Sequence, residues 1–157
     1  MSTNRVYKYR QATNDDIDVV REIIYAALRE FGIEPDPNGT DSDIENIETN
    51  YIEKGGRFEV IIDGDGKVMG CCGLLPLNES RIELRKMYFK PEIRGSGIGK
   101  VTLERMVNYA RNMQYAEMFL ESAQVLERAV NLYRRFGFIE TSERHTPRCD
   151  ISFLLKL

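Results

Sequence analysis

The 157-residue chain has no tryptophan, one histidine and three cysteines. None of its apolar runs approaches the roughly 20 residues a membrane span needs. A lone histidine, His145, excludes a histidine-rich metal centre, and Cys71, Cys72 and Cys149 lack metal-ligand spacing. Three is an odd count, which fits buried small residues in a reducing cytoplasm better than a disulfide framework. Adjacent Cys71 and Cys72 would point to opposite faces of a strand. The N-terminus, MSTNRVYKYRQ, lacks the apolar core of a secretion signal. A net charge of −3 gives no general drive toward nucleic acid or an anionic membrane. The expectation is a cytoplasmic protein with no metal, no membrane segment and no nucleic-acid partner.

What is present suits a single domain spanning 1–157. Hydrophobic content of 42% and charge of 30% are ordinary for a soluble globular chain, and the length allows a substantial core. The small net charge hides an asymmetry. Residues 14–65 hold fifteen acidic side chains against four basic ones, whereas residues 81–112 hold eight basic against three acidic.

Val6 to Gln11 reads as an opening strand. Thr13 or Asn14 offers an N-cap to a helix with Ile17, Val20, Ile24, Ala27, Leu28 and Phe31 at helical spacing, ended by Gly32. After the loop GIEPDPNGT, Thr40 is placed to cap a second helix, DSDIENIETNYIEK, closed by Gly55-Gly56. RFEVIID, a DGDG turn and KVMGCCGLLPL make a hairpin, followed by the strand RIELRKMYF, which stops at Pro91. A helix from about Val101 carries Leu103, Met106, Val107, Ala110 and Met113 on one face. YAEMFLES is a strand, Val125 to Phe136 a helix, and FGFIETSE and CDISFLLKL are strands around a loop at RHTPR. The order βααβββαβαββ implies a mixed α/β sheet without repeats or linkers.

The segment PEIRGSGIGK stands between a strand and a helix. Glycine in a helix's first turn costs roughly 1 kcal/mol against alanine. Gly95, Gly97 and Gly99 together therefore need a reason. A tight turn needing positive φ angles is one. The other is an anion site, where backbone N–H groups converge and the helix terminus adds about half a positive charge. Arg94 and Lys100 would supplement that field for a phosphate or pyrophosphate. The spacing fails the Walker A loop, which needs glycine at 94 and Ser or Thr at 101. It also fails the dinucleotide fingerprint and the kinase loop, whose last glycine would fall on Lys100 or Thr102.

What remains is R-G-x-G-x-G, filled by Arg94, Gly95, Gly97 and Gly99. Here the sequence resembles the GNAT superfamily of acetyl-CoA-dependent N-acetyltransferases, whose phosphate loop reads Gln or Arg-x-x-Gly-x-Gly or Ala. ELRKMYFKPEIRG resembles the family's central strand leading into that loop. AVNLYRRFGF resembles its late helix, with alanine, Leu-Tyr and Gly-Phe. The clear resemblance runs from about Arg57 to Phe138. It implies a GNAT-like fold with a splayed central strand pair, and acetyl-CoA as cosubstrate.

The resemblance also implies roles. Main-chain groups of Gly95, Ser96, Gly97, Ile98, Gly99 and Lys100 would hold the pyrophosphate. Met87, Tyr88 and Phe89 would pair with the pantetheine arm, and a backbone N–H there would polarise the thioester carbonyl. Glu83 lies eleven residues before Arg94, where some relatives carry a glutamate base. By strand alternation Glu83, Arg85, Met87 and Phe89 share one face. The plainer alternative for Glu83 is a cross-strand ion pair at the surface. Tyr133 falls on the family's helix tyrosine, which can protonate the coenzyme A thiolate, or it packs in the stripe Val125, Ala129, Leu132, Tyr133 and Phe136. Relatives often carry asparagine where Leu126 stands here, so that pantetheine contact is lost or comes from Ser122 or Gln124. Glu121 is a reserve base.

The expected reaction moves an acetyl group to a primary amine of a small molecule, peptide or protein by direct attack in a ternary complex. In the family the acceptor side uses LREFGIEPDPNGTDSD, including Phe31, and SERHTPRCD. The first stretch is acidic, which is either an ordinary solvated surface or an attraction for a cationic amine, while Arg85 suits a carboxylate-bearing acceptor. A homodimer is an option, dimers being common among relatives. Two other classes stay open, a non-catalytic acyl-CoA sensor on the same fold and an ATP- or NAD-binding protein.

Overall fold

The computed structural model describes residues 6–157, so the part of the N-terminal reading that rests on residues 1–5 lies outside the described residues. Seven strands make one mixed sheet: β1 Lys8–Gln11, β2 Arg57–Ile62, β3 Val68–Pro76, β4 Arg81–Phe89, β5 Glu117–Ser122, β6 Ile139–Thr141 and β7 Ile151–Lys156. Their order is β1-β2-β3-β4-β5-β7-β6. The α-helices are α1 Ile17–Glu30, α2 Ile98–Asn112 and α3 Glu127–Phe136. The mixed α/β class expected from the sequence is present. Two compact units divide the chain, one up to Gly73 and from Lys86 to Arg94, the other Leu74–Arg85 and Gly95–Leu157.

In the first unit the helix start falls on Thr13, whose Oγ1 accepts from the Asp15 N–H while the Asp16 carboxylate accepts from the Thr13 N–H at 2.9 Å. Arg10 grips the same carboxylate through two nitrogens at 2.8 Å, which holds its pKa below the usual carboxylate range. The buried stripe of α1 is Val20, Ile23, Ile24, Ala27 and Leu28. Ile17 is only half-buried and Phe31, just past the helix, is exposed, so the expected stripe shifts by a residue at each end.

The segment expected to form a second α-helix, DSDIENIETNYIEK, does not form one. Its residues form a 3-10 turn at Ser42–Asn46 and a π-turn at Glu48–Ile52 instead of an α-helix. Side chains compete with the backbone there: Asn46 Oδ1 accepts from the Thr49 N–H, and Asn50 donates to the Asp43 carbonyl. Ile44, Ile47 and Tyr51 are still buried, so the segment keeps its core contacts without an α-helical hydrogen-bond ladder. Thr40 does not cap it; Asp41 precedes the turn without a side-chain capping bond. Tyr51 meets the Phe58 ring edge-on at 4.9 Å.

In the second unit β5 and β7 pair antiparallel from Glu117↔Lys156 to Ser122↔Ile151, and β6 adds to the outer edge of β7. Helix α2 buries Thr102, Leu103, Met106, Val107 and Ala110, as its spacing predicts, but Met113 at its end is exposed. Helix α3 buries Val130 and Tyr133, whereas Val125 lies before the helix and is exposed. β4 and β5 run parallel, with Arg81↔Glu117, Ile82↔Met118 and Glu83↔Phe119 as the paired residues, although both strands continue beyond them.

Candidate active site

β4 carries an irregularity that the sequence pattern hides. Leu77 N bonds Arg81 O at one end of the β3–β4 hairpin, and Lys90 N bonds Met69 O at the other. The first strand advances eight residues between these bonds and the second nine, so β4 holds one extra residue. Lys86, with φ +55°, marks it. This bulge shifts the alternation of side chains. Met87 and Phe89 therefore leave the face that carries Glu83 and Arg85, and the expectation of a common face fails at Lys86. The Phe89 ring instead packs where a Cβ on Gly70 would stand, its Cδ1 lying 2.7 Å from that position. Only glycine at 70 leaves room.

Lys86 itself is anchored. Its Nζ donates to the Thr40 carbonyl at 3.1 Å and to Asp41 Oδ1 at 2.9 Å, with Asp43 Oδ1 at 3.4 Å. The Asp41 side chain is fully buried, and its other oxygen accepts from the Asp36 N–H. Removing one partner of such a pair leaves a buried charge, at a cost of roughly 3–5 kcal/mol. This network was not legible in the sequence, because an isolated lysine in a strand reads as a solvated residue.

Arg94 is tied into the first unit, its Nε donating to the Phe89 carbonyl at 2.9 Å and its Nη1 to Glu30 at 2.6 Å. The arginine thus has a structural task in closing the end of β4, which the sequence reading did not assign. In the second unit Gly95 and Gly97 have φ of +80° and +84°, the left-handed region where L side chains are strained. A Cβ on Gly97 would meet nothing within 4 Å, and one on Gly95 only Arg128 Nη1 at 3.9 Å. Gly99 lies within α2 and needs no unusual φ. The first helical bond runs from Val101 N to Gly97 O. The N–H groups of Ile98, Gly99 and Lys100 consequently have no acceptor inside the helix, and no side chain caps it. The turn is an exposed, positively polarised helix end.

Glu83 is buried beside Phe119 and accepts from Arg85 Nε of its own strand, an ion pair along β4 and not across strands. Tyr133 is 6% exposed, its ring edge-on to Phe138 at 5.7 Å and tilted against Phe153 at 6.0 Å. Glu121 is occupied: its carboxylate accepts from the His145 N–H at 2.5 Å and from the Thr146 N–H and Oγ1 at 3.2 and 2.8 Å. Lys100 is exposed, 4.0 Å from Glu104, and Leu126 sits at the N-cap of α3.

Residues 21–138 match the Acetyltransferase (GNAT) family. The chain belongs to that family. It is 33% identical over 134 residues to the uncharacterized N-acetyltransferase YjgM of Escherichia coli K12, covering 82% of this chain and 80% of that protein. The structure of a GNAT-family acetyltransferase from Staphylococcus aureus Mu50 matches with a TM-score of 0.89 and 23% identity over 96% of this chain and 99% of that one. A GNAT phosphinothricin acetyltransferase from Sinorhizobium meliloti, solved in complex with AcCoA, matches with a TM-score of 0.74 and 20% identity over 96% and 88%. The protein is an acetyl-transferring acyltransferase.

For a GNAT enzyme the thiols are poorly placed to carry the acetyl group. Burial pushes the Cys71 pKa up to about 12, and Cys72 is raised for the same reason. Neither supplies the thiolate that acyl transfer through cysteine requires. A Cys71→Ala, Cys72→Ala double variant is expected to keep most of its turnover. A trapped acetyl-enzyme, or loss of turnover in a folded double variant, would show a two-step route. Among the described residues no group of three His, Cys, Asp or Glu side chains is arranged to hold a metal, and no helix is long and apolar enough to cross a membrane.

One further cluster escaped the sequence reading. Arg81 bridges Glu117 and Glu143, each at 2.7 Å, and the other oxygen of Glu143 meets His145 Nε2 at 2.9 Å. Those residues are 62 positions apart in the chain from Arg81 to Glu143, so no local signal joins them.

Proposed function

We propose that the enzyme moves the acetyl group of acetyl-CoA to a primary amine of a small molecule or peptide by direct attack in a ternary complex. The observation that carries this reading is the glycine turn. Two left-handed glycines open α2 with its first N–H groups unpartnered inside the helix, which suits the pyrophosphate of coenzyme A. Bound AcCoA in the Sinorhizobium meliloti neighbour supports the choice of cosubstrate. Met87, Tyr88 and Phe89 are the proposed main-chain partners of the pantetheine arm.

In the proposed chemistry the amine nitrogen attacks the thioester carbon. Glu83 takes the nitrogen's proton through a water, and Tyr133 protonates the departing thiolate. General acid–base groups contribute about 10² to 10⁴ in rate. Burial of Glu83 and Tyr133 excludes bulk water from both groups, and a tyrosine can pack its ring while presenting its hydroxyl. Arg85, at the edge of Glu83, and Phe31 are proposed to contact the acceptor.

The test is release of coenzyme A thiol with a panel of mono-, di- and polyamines, amino acids and peptides. Acetylated product with at least one amine is the expected result. Binding of acetyl-CoA without product from any amine would overturn the proposed transfer.

A further inference from the structure

The stoichiometry of the proposed reaction leaves one proton to be removed. An acceptor amine enters as an ammonium ion at neutral pH and must lose two protons to become an amide. The coenzyme A thiolate takes up one. The other must reach solvent in every turnover, and Glu83, the proposed base, is 7% exposed and paired with Arg85.

A group suited to that task stands nearby in the second unit. Phe119 is the register partner of Glu83, and its ring meets the edge of the His145 imidazole at 5.8 Å. Glu83 and His145 thus flank the same buried side chain. The imidazole is held from several sides. Glu121 of β5 accepts from its backbone N–H, and Glu143 of its own loop meets Nε2. Arg81 of β4 fixes Glu143 and lies over the Phe119 ring at 5.5 Å. The remaining charged neighbours are Glu117, which shares Arg81, and Arg144, whose Nη1 is held by Ser152 of β7. Nδ1 has no partner among the described residues, and the side chain is 61% exposed. A carboxylate on one imidazole nitrogen and an open second nitrogen is the arrangement of an oriented proton acceptor. The Glu143 pKa is held below the usual carboxylate range, by His145 first and Arg81 second, so a charged carboxylate faces Nε2.

We propose that His145, oriented by Glu143, is the proton exit of the reaction. It accepts at Nδ1, through water, the proton that leaves the acceptor by way of Glu83, and returns it to solvent. No bond other than N–H and O–H is made or broken in this step. The proposal rests on the transfer reaction proposed above.

The chain has a single histidine, so every imidazole signal reports on this residue. With an acceptor found in the thiol-release panel, His145→Ala is expected to lower turnover by about 10²-fold near neutral pH, the lower end of general acid–base effects. Added free imidazole should restore much of that rate in a saturable way. The wild-type pH–rate profile should carry a limb whose midpoint equals the His145 midpoint measured by NMR, and Glu143→Gln should move the two midpoints together. A loop with only a structural role would give neither the rescue nor the matched shift. If His145→Ala keeps the wild-type rate and limb while Glu83→Gln is impaired, the proton-exit role is wrong and the transfer reading stands. If the rate falls but imidazole does not restore it and the midpoints do not coincide, His145 only holds the loop and the proposal is overturned. If no amine gives product, both readings fail.

Discussion

Gly97→Asp is expected to weaken acetyl-CoA binding by about 10³-fold, whereas Gly97→Asn, its uncharged isostere, is expected to weaken it far less. Both residues tolerate the left-handed region better than other L side chains, so each meets the same φ of +84° at a similar backbone cost. Neither collides with the protein, since nothing lies within 4 Å of a Cβ there. What separates them is one negative charge beside the proposed pyrophosphate. Two unit charges 4 Å apart at an effective dielectric near 20 repel by about 4 kcal/mol, a factor of about 10³. Isothermal titration of acetyl-CoA into both variants, with circular dichroism to establish folding, measures the difference. Equal affinities would place the pyrophosphate elsewhere. Since Arg94 already serves Phe89 and Glu30, the main chain of the turn has to do most of the holding.

Glu83→Gln is expected to lower turnover by about 10² to 10⁴ at neutral pH while leaving acetyl-CoA affinity nearly unchanged. The amide keeps the shape of the carboxylate but cannot take a proton. Its neighbour Arg85 is half-exposed, so it can be solvated when the ion pair is lost and folding should survive. Rate should recover partly at high pH, where the acceptor itself becomes the free amine and less base is needed. The measurement is a pH–rate profile of both proteins with one confirmed acceptor. A variant with the wild-type rate and profile would reduce Glu83 to a buried partner of Arg85. Glu121 would be a weak replacement, because its carboxylate already holds three donors of the 145–146 loop.

The strand and helix order was legible because hydrophobic spacing, Thr13 and the glycine punctuation all report local preference, and local preference decided those elements. The failures have a common physical origin. Ser42 to Ile52 shows a helical apolar spacing, yet Asn46 and Asn50 divert backbone groups into side-chain bonds, and packing of Ile44, Ile47 and Tyr51 together with the Asn14–Glu48 bonds holds the turns. Strand alternation put Glu83 and Phe89 together because a bulge adds one residue without changing any local signal except a lysine at positive φ. The glycine turn is visible in the spacing, but the structural bond of Arg94 to Glu30 is not, because that partner is 64 residues away. The surroundings of His145 are hidden for the same reason, since Phe119, Glu121 and the Arg81 that holds Glu143 arrive from other strands.

The anchor at Lys86 makes the 36–43 loop and the backbone of β4 a single mechanical part. A loop attached only at its ends can be exchanged for a relative's without disturbing its neighbours, which is how many enzymes diversify what they accept. Here Asp41 reaches through the loop to clamp the one β4 residue that holds a left-handed conformation. Transplanting a loop that lacks an acid at 41 would release that residue, and the following Met87, Tyr88 and Phe89 would reset to the other pleat. Sequence change in this loop would therefore have to proceed around Asp41 and Lys86, by substitutions at Asp36 to Thr40, or replace the pair in one concerted step.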